Sequence, residues 1–367
     1  METIKSAIRI FQKHPILIIP LLITWIIIAS GVVYFKWHFP WNQYNFNGQM
    51  VFAYLFYFTA SITILFSCSI LVELIEQDER GFKMSIKEAI YDSFSKNIGH
   101  LIILSFIWSV TWFFLVLLKV IFSKKKNNGT EEESAENIAR TLAGSDSFSW
   151  STFTIDMLIQ ALRMVMFIIV PAFAWENKSF GKSFKRGMTI ISARTSNFIE
   201  GFVISLGVQF ILYLPPSIMF YLSNKANIEF DEIWWYLCIV YIGFAWSLTL
   251  YVEQLFGAEL LLWQMKYEYE CDIAKEKNQP IPKFSDIKKP LLLDEIDDLK
   301  TIIKSKKTII LEDKSVEYKP KSRSERLKEN FISKTNQELI YIVENENKYQ
   351  KEVVLIAKNI LKEKNVG

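Results

Sequence analysis

A chain of 367 residues that is 51% hydrophobic, with 29 Phe and 11 Trp, carries more apolar surface than a soluble domain hides when that surface is gathered into long runs. A formal charge of +3 is too small to argue for nucleic acid, and no basic stretch is interleaved with stacking aromatics. The three cysteines, Cys68, Cys238 and Cys271, have neither metal-ligand nor framework spacing, which argues against a disulfide scaffold or a metal centre.

In chain order, Ile4, Ala7, Ile8 and Phe11 recur at helical spacing with Lys5, Arg9 and Lys13 on other faces, predicting an amphipathic helix that lies in the membrane surface. Apolar runs follow at 15–35 and 51–75. The first lacks a small-residue cleavage site and continues into aromatics, so it reads as a span rather than a signal peptide. Glu73 falls near the end of the second run, where a carboxylate is cheap, and reads as an anchor. Ile86, Ile90 and Phe94 with Lys83, Lys87 and Lys96 repeat the amphipathic device ahead of a third run at 101–122. The next loop opens with Lys124, Lys125 and Lys126. It then carries a capping-box pattern from Thr130 to Glu133, a stripe of Ala135, Ile138, Ala139 and Leu142, and Gly144 as a stop, which predicts a short external helix.

The fourth run, 153–175, ends at Pro171 and Trp175, residues tolerated or favoured at headgroup depth. A third amphipathic segment follows. Phe180 and Phe184 would insert, with Met188 and Ile191 on the same face, while Lys182, Lys185 and Arg186 would meet anionic headgroups. Runs at 201–222 and 235–251 complete six, each about 17–25 residues and so long enough for a helix to cross hydrocarbon. Pro215 and Pro216 should bend or end the fifth. The fold class expected is all-α: a six-helix transmembrane bundle over residues 1–265 with cytoplasmic interfacial helices and a helical tail. Cations near membrane ends stay on the cytoplasmic side, which places both termini inside; the lysines at 124–126 run against this orientation.

Asp156, Gln160 and Arg163 lie at i, i+4 and i+7 on the fourth span, hence on one face that must look into the bundle. Gln209 and Glu253 are the candidate partners. The stripe reads as a structural polar seam or as an ion or substrate path, and the structural role is preferred. His14, His38 and His100 are isolated, and no hydrolase, metalloprotease or phosphate-cradling motif occurs, so no catalytic residue, metal or cofactor is expected and the chain reads as a non-enzyme.

Residues 266–334 are polar and punctuated by Pro280, Pro282 and Pro290, which predicts a linker whose run LLLDEIDDLKTII forms a short helix. A capping box from Thr335 to Glu338 opens a helix with Leu339, Ile342 and Val343. A second places Val353, Ile356, Ala357, Ile360 and Leu361 on one face, so 335–367 reads as a helical hairpin that packs on itself or docks a partner.

The run IIVPAFAWENKSFGKSFKRG, preceded by LVELIEQDERG at 71–81 and SFSKNIGHLI at 93–102, resembles an uncharacterised family of prokaryotic six-span membrane proteins over about residues 1–265. The matching positions are Pro171, Glu176, Ser183, Lys185 and Arg186; the basic third loop and long tail depart from the pattern. The resemblance implies a fold and a prokaryotic plasma membrane, with no reaction attached. The expectation is therefore a non-enzymatic protein that organises or recruits partners at the cytoplasmic face, touching anionic lipids and, through its tail, a cytoplasmic protein. The alternative is a transporter or channel that uses the Asp156–Gln160–Arg163 stripe.

Overall fold

The computed structural model describes residues 2–79, 82–122, 133–143, 150–176, 179–225, 228–287, 328, 331–332 and 334–365, with the side chains of 2–7, 79, 122, 150–153 and 365 outside the description. These residues are 90% helical without a strand, which makes the chain all-α. Six helices are long and apolar enough to cross a membrane, so it is a multi-pass membrane protein.

The chain runs through one plan three times: a short elbow helix, an outer span and an inner span. The first unit is α1 (Glu2–Lys13), α2 (Ile19–Val33) and α3 (Phe46–Glu79). The second is α4 (Ile86–Asp92), α5 (Ile98–Phe122) and α7 (Trp150–Glu176), with α6 (Ala135–Ala143) inserted between the spans. The third is α8 (Phe180–Ala193), α9 (Thr195–Lys225) and α10 (Glu232–Glu276). Over their most apolar windows the inner spans are 56%, 56% and 44% buried and the outer ones 33%, 28% and 11%, so α3, α7 and α10 form the core and α2, α5 and α9 the lipid-facing shell. Outer α2 packs against both α3 and α10, and α5 against both α3 and α7, whereas α9 packs mainly on α10 and reaches α7 through Ser205, which accepts from Gln160 at 3.1 Å.

The sixth helix departs most from expectation. A 45-residue α10 is about 68 Å long, roughly twice the hydrocarbon thickness. It continues through Tyr251, where the span was expected to end, and through the boundary expected at 265/266. Residues 249–262 are buried on every side, because the elbow helices α1 and α8 and the ends of α3, α7 and α9 wrap this half. After α10 the chain turns back through Asn278, in left-handed conformation at φ 49°, and lays Phe284 against Trp263, ring centroids 4.3 Å apart. The run LLLDEIDDLKTII lies outside the described residues.

At the opposite end α6 is a short helix as expected, but its cap is Ser134, whose Oγ accepts from the Asn137 N–H at 3.2 Å. Thr130, the expected cap, lies outside the described residues, as do Gly144 and the lysines at 124–126. Ala135 and Ala139 bury against Phe220, Trp235 and Cys238, while Lys36 donates to Thr141 and Arg140 to Asn224. The third loop thereby covers the first and fifth. Pro215 and Pro216 do not end the fifth span, since α9 runs through both.

The tail hairpin forms as expected: α11 (Asn336–Glu344) and α12 (Lys351–Asn365) close on Phe331, Leu339, Ile342, Val353, Ile356, Ala357 and Ile360. The capping box is complete. The Thr335 N–H and hydroxyl both donate to Glu338, holding its carboxyl below the ordinary value.

Candidate functional site

Gln160 and Arg163 of α7 turn inward as the stripe demands, and they meet Glu253 of α10. The guanidinium grips the carboxylate in a fork, Nε to Oε2 and Nη2 to Oε1, each 2.7 Å. Gln160 Nε2 donates to Glu253 Oε1 and to Ser205 Oγ, both at 3.1 Å, and the Ser205 hydroxyl donates to Glu253 at 2.7 Å. The Glu253 side chain is fully buried and Arg163 is 16% exposed. A charge at this depth is tolerable because the opposite charge and two further donors, Gln160 and Ser205, surround it.

Two positions of the expected cluster fall differently. Asp156 faces out of the network and pairs with Lys119 of α5 at 2.8 Å. Gln209 is not part of it; Ser205, one turn earlier on the same face of α9, takes that place. Glu253, one of the two candidate partners, is the residue that Arg163 pairs with. Ser205 was as legible in sequence as Gln209, but a serine carries less weight than an amide when polar residues in a span are ranked.

A second network lies where α8 meets the inner helices. Arg186 forks onto Glu268 of α10, with its Nη2 2.7 Å from Oε2 and its Nη1 on Oε1, and its Nε reaches Glu176 of α7 at 3.2 Å. Gln264 donates to Glu268 at 2.9 Å and accepts from Arg194 at 2.9 Å. The Arg194 guanidinium also lies 3.5 Å over the Phe284 ring, which fixes the turn after α10. Burial pulls the Arg186 pKa down, but Glu268 and Glu176 outweigh it and leave the pKa raised. Glu268 and Gln264 escaped notice because the span was expected to end at Tyr251, which hid the continuing helical register.

The interfacial reading of α8 is therefore corrected in part. Lys182 and Lys185 are exposed, whereas Arg186 holds the bundle together instead of reaching for lipid. The helix packs inward through Ser183, Gly187 and Ile190. A Cβ on Gly187 would come within 2.6 Å of Ile169, so only glycine allows this approach. Phe180 and Phe184 flank that contact, Phe180 stacked on Phe173, and Met188 remains exposed. Likewise Ile8 of α1 is exposed while Ile10 and Phe11 pack inward. Glu73, expected to anchor at the boundary, is buried and accepts from Asn97 at 3.2 Å.

These contacts separate the three cations. Arg186→Gln should lower stability in detergent by about 1–3 kcal/mol, because it leaves two carboxylates facing each other without their counter-charge. Lys182→Gln with Lys185→Gln should stay within about 0.5 kcal/mol of wild type. Equal loss in both variants, read from melting curves, would contradict the ion-pair role.

Among the described residues no three His, Cys, Asp or Glu side chains converge as metal ligands would. Comparison with protein-family models, curated proteins and solved structures returns no match. The functional reading rests on this chain's own residues.

Proposed function

We propose that this chain is a non-enzymatic protein of a prokaryotic plasma membrane, with both termini cytoplasmic, that organises or recruits a protein partner at the cytoplasmic face. The observation that carries the reading is the tail hairpin: it has an apolar core of its own and leaves Ile340 and Tyr341 exposed, 44% and 52% respectively. The intramembrane charges support the same reading, since Arg163, Gln160, Ser205 and Glu253 satisfy one another and leave no obvious vacancy for a moving ion. The uncharacterised six-span family is the lineage this reading favours.

The test compares partners cross-linked in cells to the full chain and to a chain ending at Ile287, which keeps α10 and its Arg186 partners. A partner lost on truncation and also lost from Ile340→Glu with Tyr341→Glu supports recruitment; an unchanged partner set sinks it. Cysteines placed at Lys185 and Lys362, labelled from outside intact cells, would sink the orientation. Transport is the second reading, and one feature favours it: the polar cluster is shared by α7, α9 and α10, and α9 is the least buried of the six spans, at 11% over its most apolar window. It requires a charge-free Arg163→Leu, Glu253→Leu protein to fold and yet lose a measurable flux.

A further inference from the structure

The hairpin does not hang free. Tyr349 forms an antiparallel bridge with Phe82 in the turn between α3 and α4, their rings 4.9 Å apart. The Lys83 N–H donates to the Lys348 carbonyl at 3.2 Å, and Gln350 Nε2 donates to Asp78 at 2.7 Å and to the Phe82 carbonyl at 3.0 Å. Docking encloses a groove of about 370 Å³ lined by Lys83, Glu346, Asn347, Lys351, Leu355 and Lys358. Glu346 is paired with Lys358 at 3.5 Å. Lys83 and Lys351 then face the same groove from segments far apart in sequence, with no anionic partner for either among the described residues.

We infer that the docked hairpin and the α3–α4 turn together form a groove for the phosphate of an anionic lipid headgroup. Like charges gathered by docking repel, and an anion between them converts that cost into attraction. Location selects the lipid as its source: Lys83 lies five residues beyond Asp78, the end of an apolar helix long enough to span, which sets one wall of the groove near the surface of the membrane that helix would cross. Leu355, 60% exposed, gives the groove an apolar edge suited to the glycerol end of a lipid. The headgroup is a ligand of the docked state alone, so it latches the tail to the membrane domain. The inference rests on the cytoplasmic placement of the tail proposed above, but not on whether a protein partner is recruited.

The experiment follows exchange of the Lys83 amide, whose hydrogen bond to Lys348 forms only on docking. It uses the full chain in nanodiscs of phosphatidylcholine alone or mixed with phosphatidylglycerol. Attraction of about fivefold per lysine predicts exchange slowed by about thirtyfold in the anionic discs. Lys83→Gln with Lys351→Gln should abolish the lipid dependence while the 353–360 amides of the hairpin core stay protected, which verifies folding. Identical wild-type exchange in the two discs overturns the inference, as does lipid dependence that survives in the double variant. Equal slowing by soluble glycerol phosphate in neutral discs overturns the lipid as source. Loss of the partner in the truncation test with lipid-dependent docking intact, or the reverse, tells the failure of one reading from that of the other.

Discussion

Glu253→Leu should destabilise the bundle by about 3–5 kcal/mol, because it leaves the Arg163 guanidinium buried at mid-membrane without its counter-charge. Arg163→Leu should cost less, about 1–3 kcal/mol. The carboxylate it strands keeps the Ser205 and Gln160 donors, and a carboxylate can be neutralised by taking up a proton whereas a guanidinium cannot. Replacing both by Leu should return stability to within about 1 kcal/mol of wild type, since desolvation and attraction are removed together and Gln160 still bonds Ser205. Melting curves in detergent for the two single variants and the double give a thermodynamic cycle. Additive losses, or Arg163→Leu costing more than Glu253→Leu, would show that the pair is not a coupled ion pair.

The other large effect belongs to Gly257. Pro171 has no N–H, so the carbonyl of Phe167, one turn earlier in α7, loses its helical donor. Gln254 of α10 supplies a replacement, its Nε2 donating to that carbonyl at 3.1 Å. Gln254 reaches it only because α10 comes against the α7 backbone, and Gly257 makes that possible. A Cβ there would lie 2.7 Å from the Phe167 oxygen and 3.0 Å from its carbon. Gly257→Val must therefore push two backbones apart at the centre of the core and break the Gln254 bond, at a cost of about 3 kcal/mol or more, read as lost accumulation and a lowered melting temperature. A companion variant isolates the hydrogen bond. Gln254→Leu should cost about 1–3 kcal/mol, and Pro171→Ala added to it should recover part of the loss by restoring an N–H to the Phe167 carbonyl. No recovery would mean that the carbonyl is not what Gln254 serves.

Much of the architecture is a property of the sequence alone. A run of about twenty apolar residues has one stable form in hydrocarbon, a helix with its backbone bonds closed, so six spans and the all-α class follow without knowing any contact. The hairpin was legible for a similar local reason: a capping box and a one-sided apolar stripe both act within a few residues. The face of α7 that turns inward was legible too, because Arg163 has nowhere else to go.

What only the tertiary structure decided is which partner each polar group takes and where α10 stops. Pairing depends on how helices distant in the chain are rotated and spaced, and hydropathy carries no record of that. It gave Arg163 to Glu253, sent Asp156 to Lys119, and turned Arg186 from a candidate lipid contact into the tie between α8 and Glu268. The end of α10 was hidden because residues 266–276 are polar enough to resemble a linker, yet continue the helix half-buried, with Cys271 and Ala274 packed inward. Burial of that kind is created by neighbours, and neighbours exist only once the chain has folded.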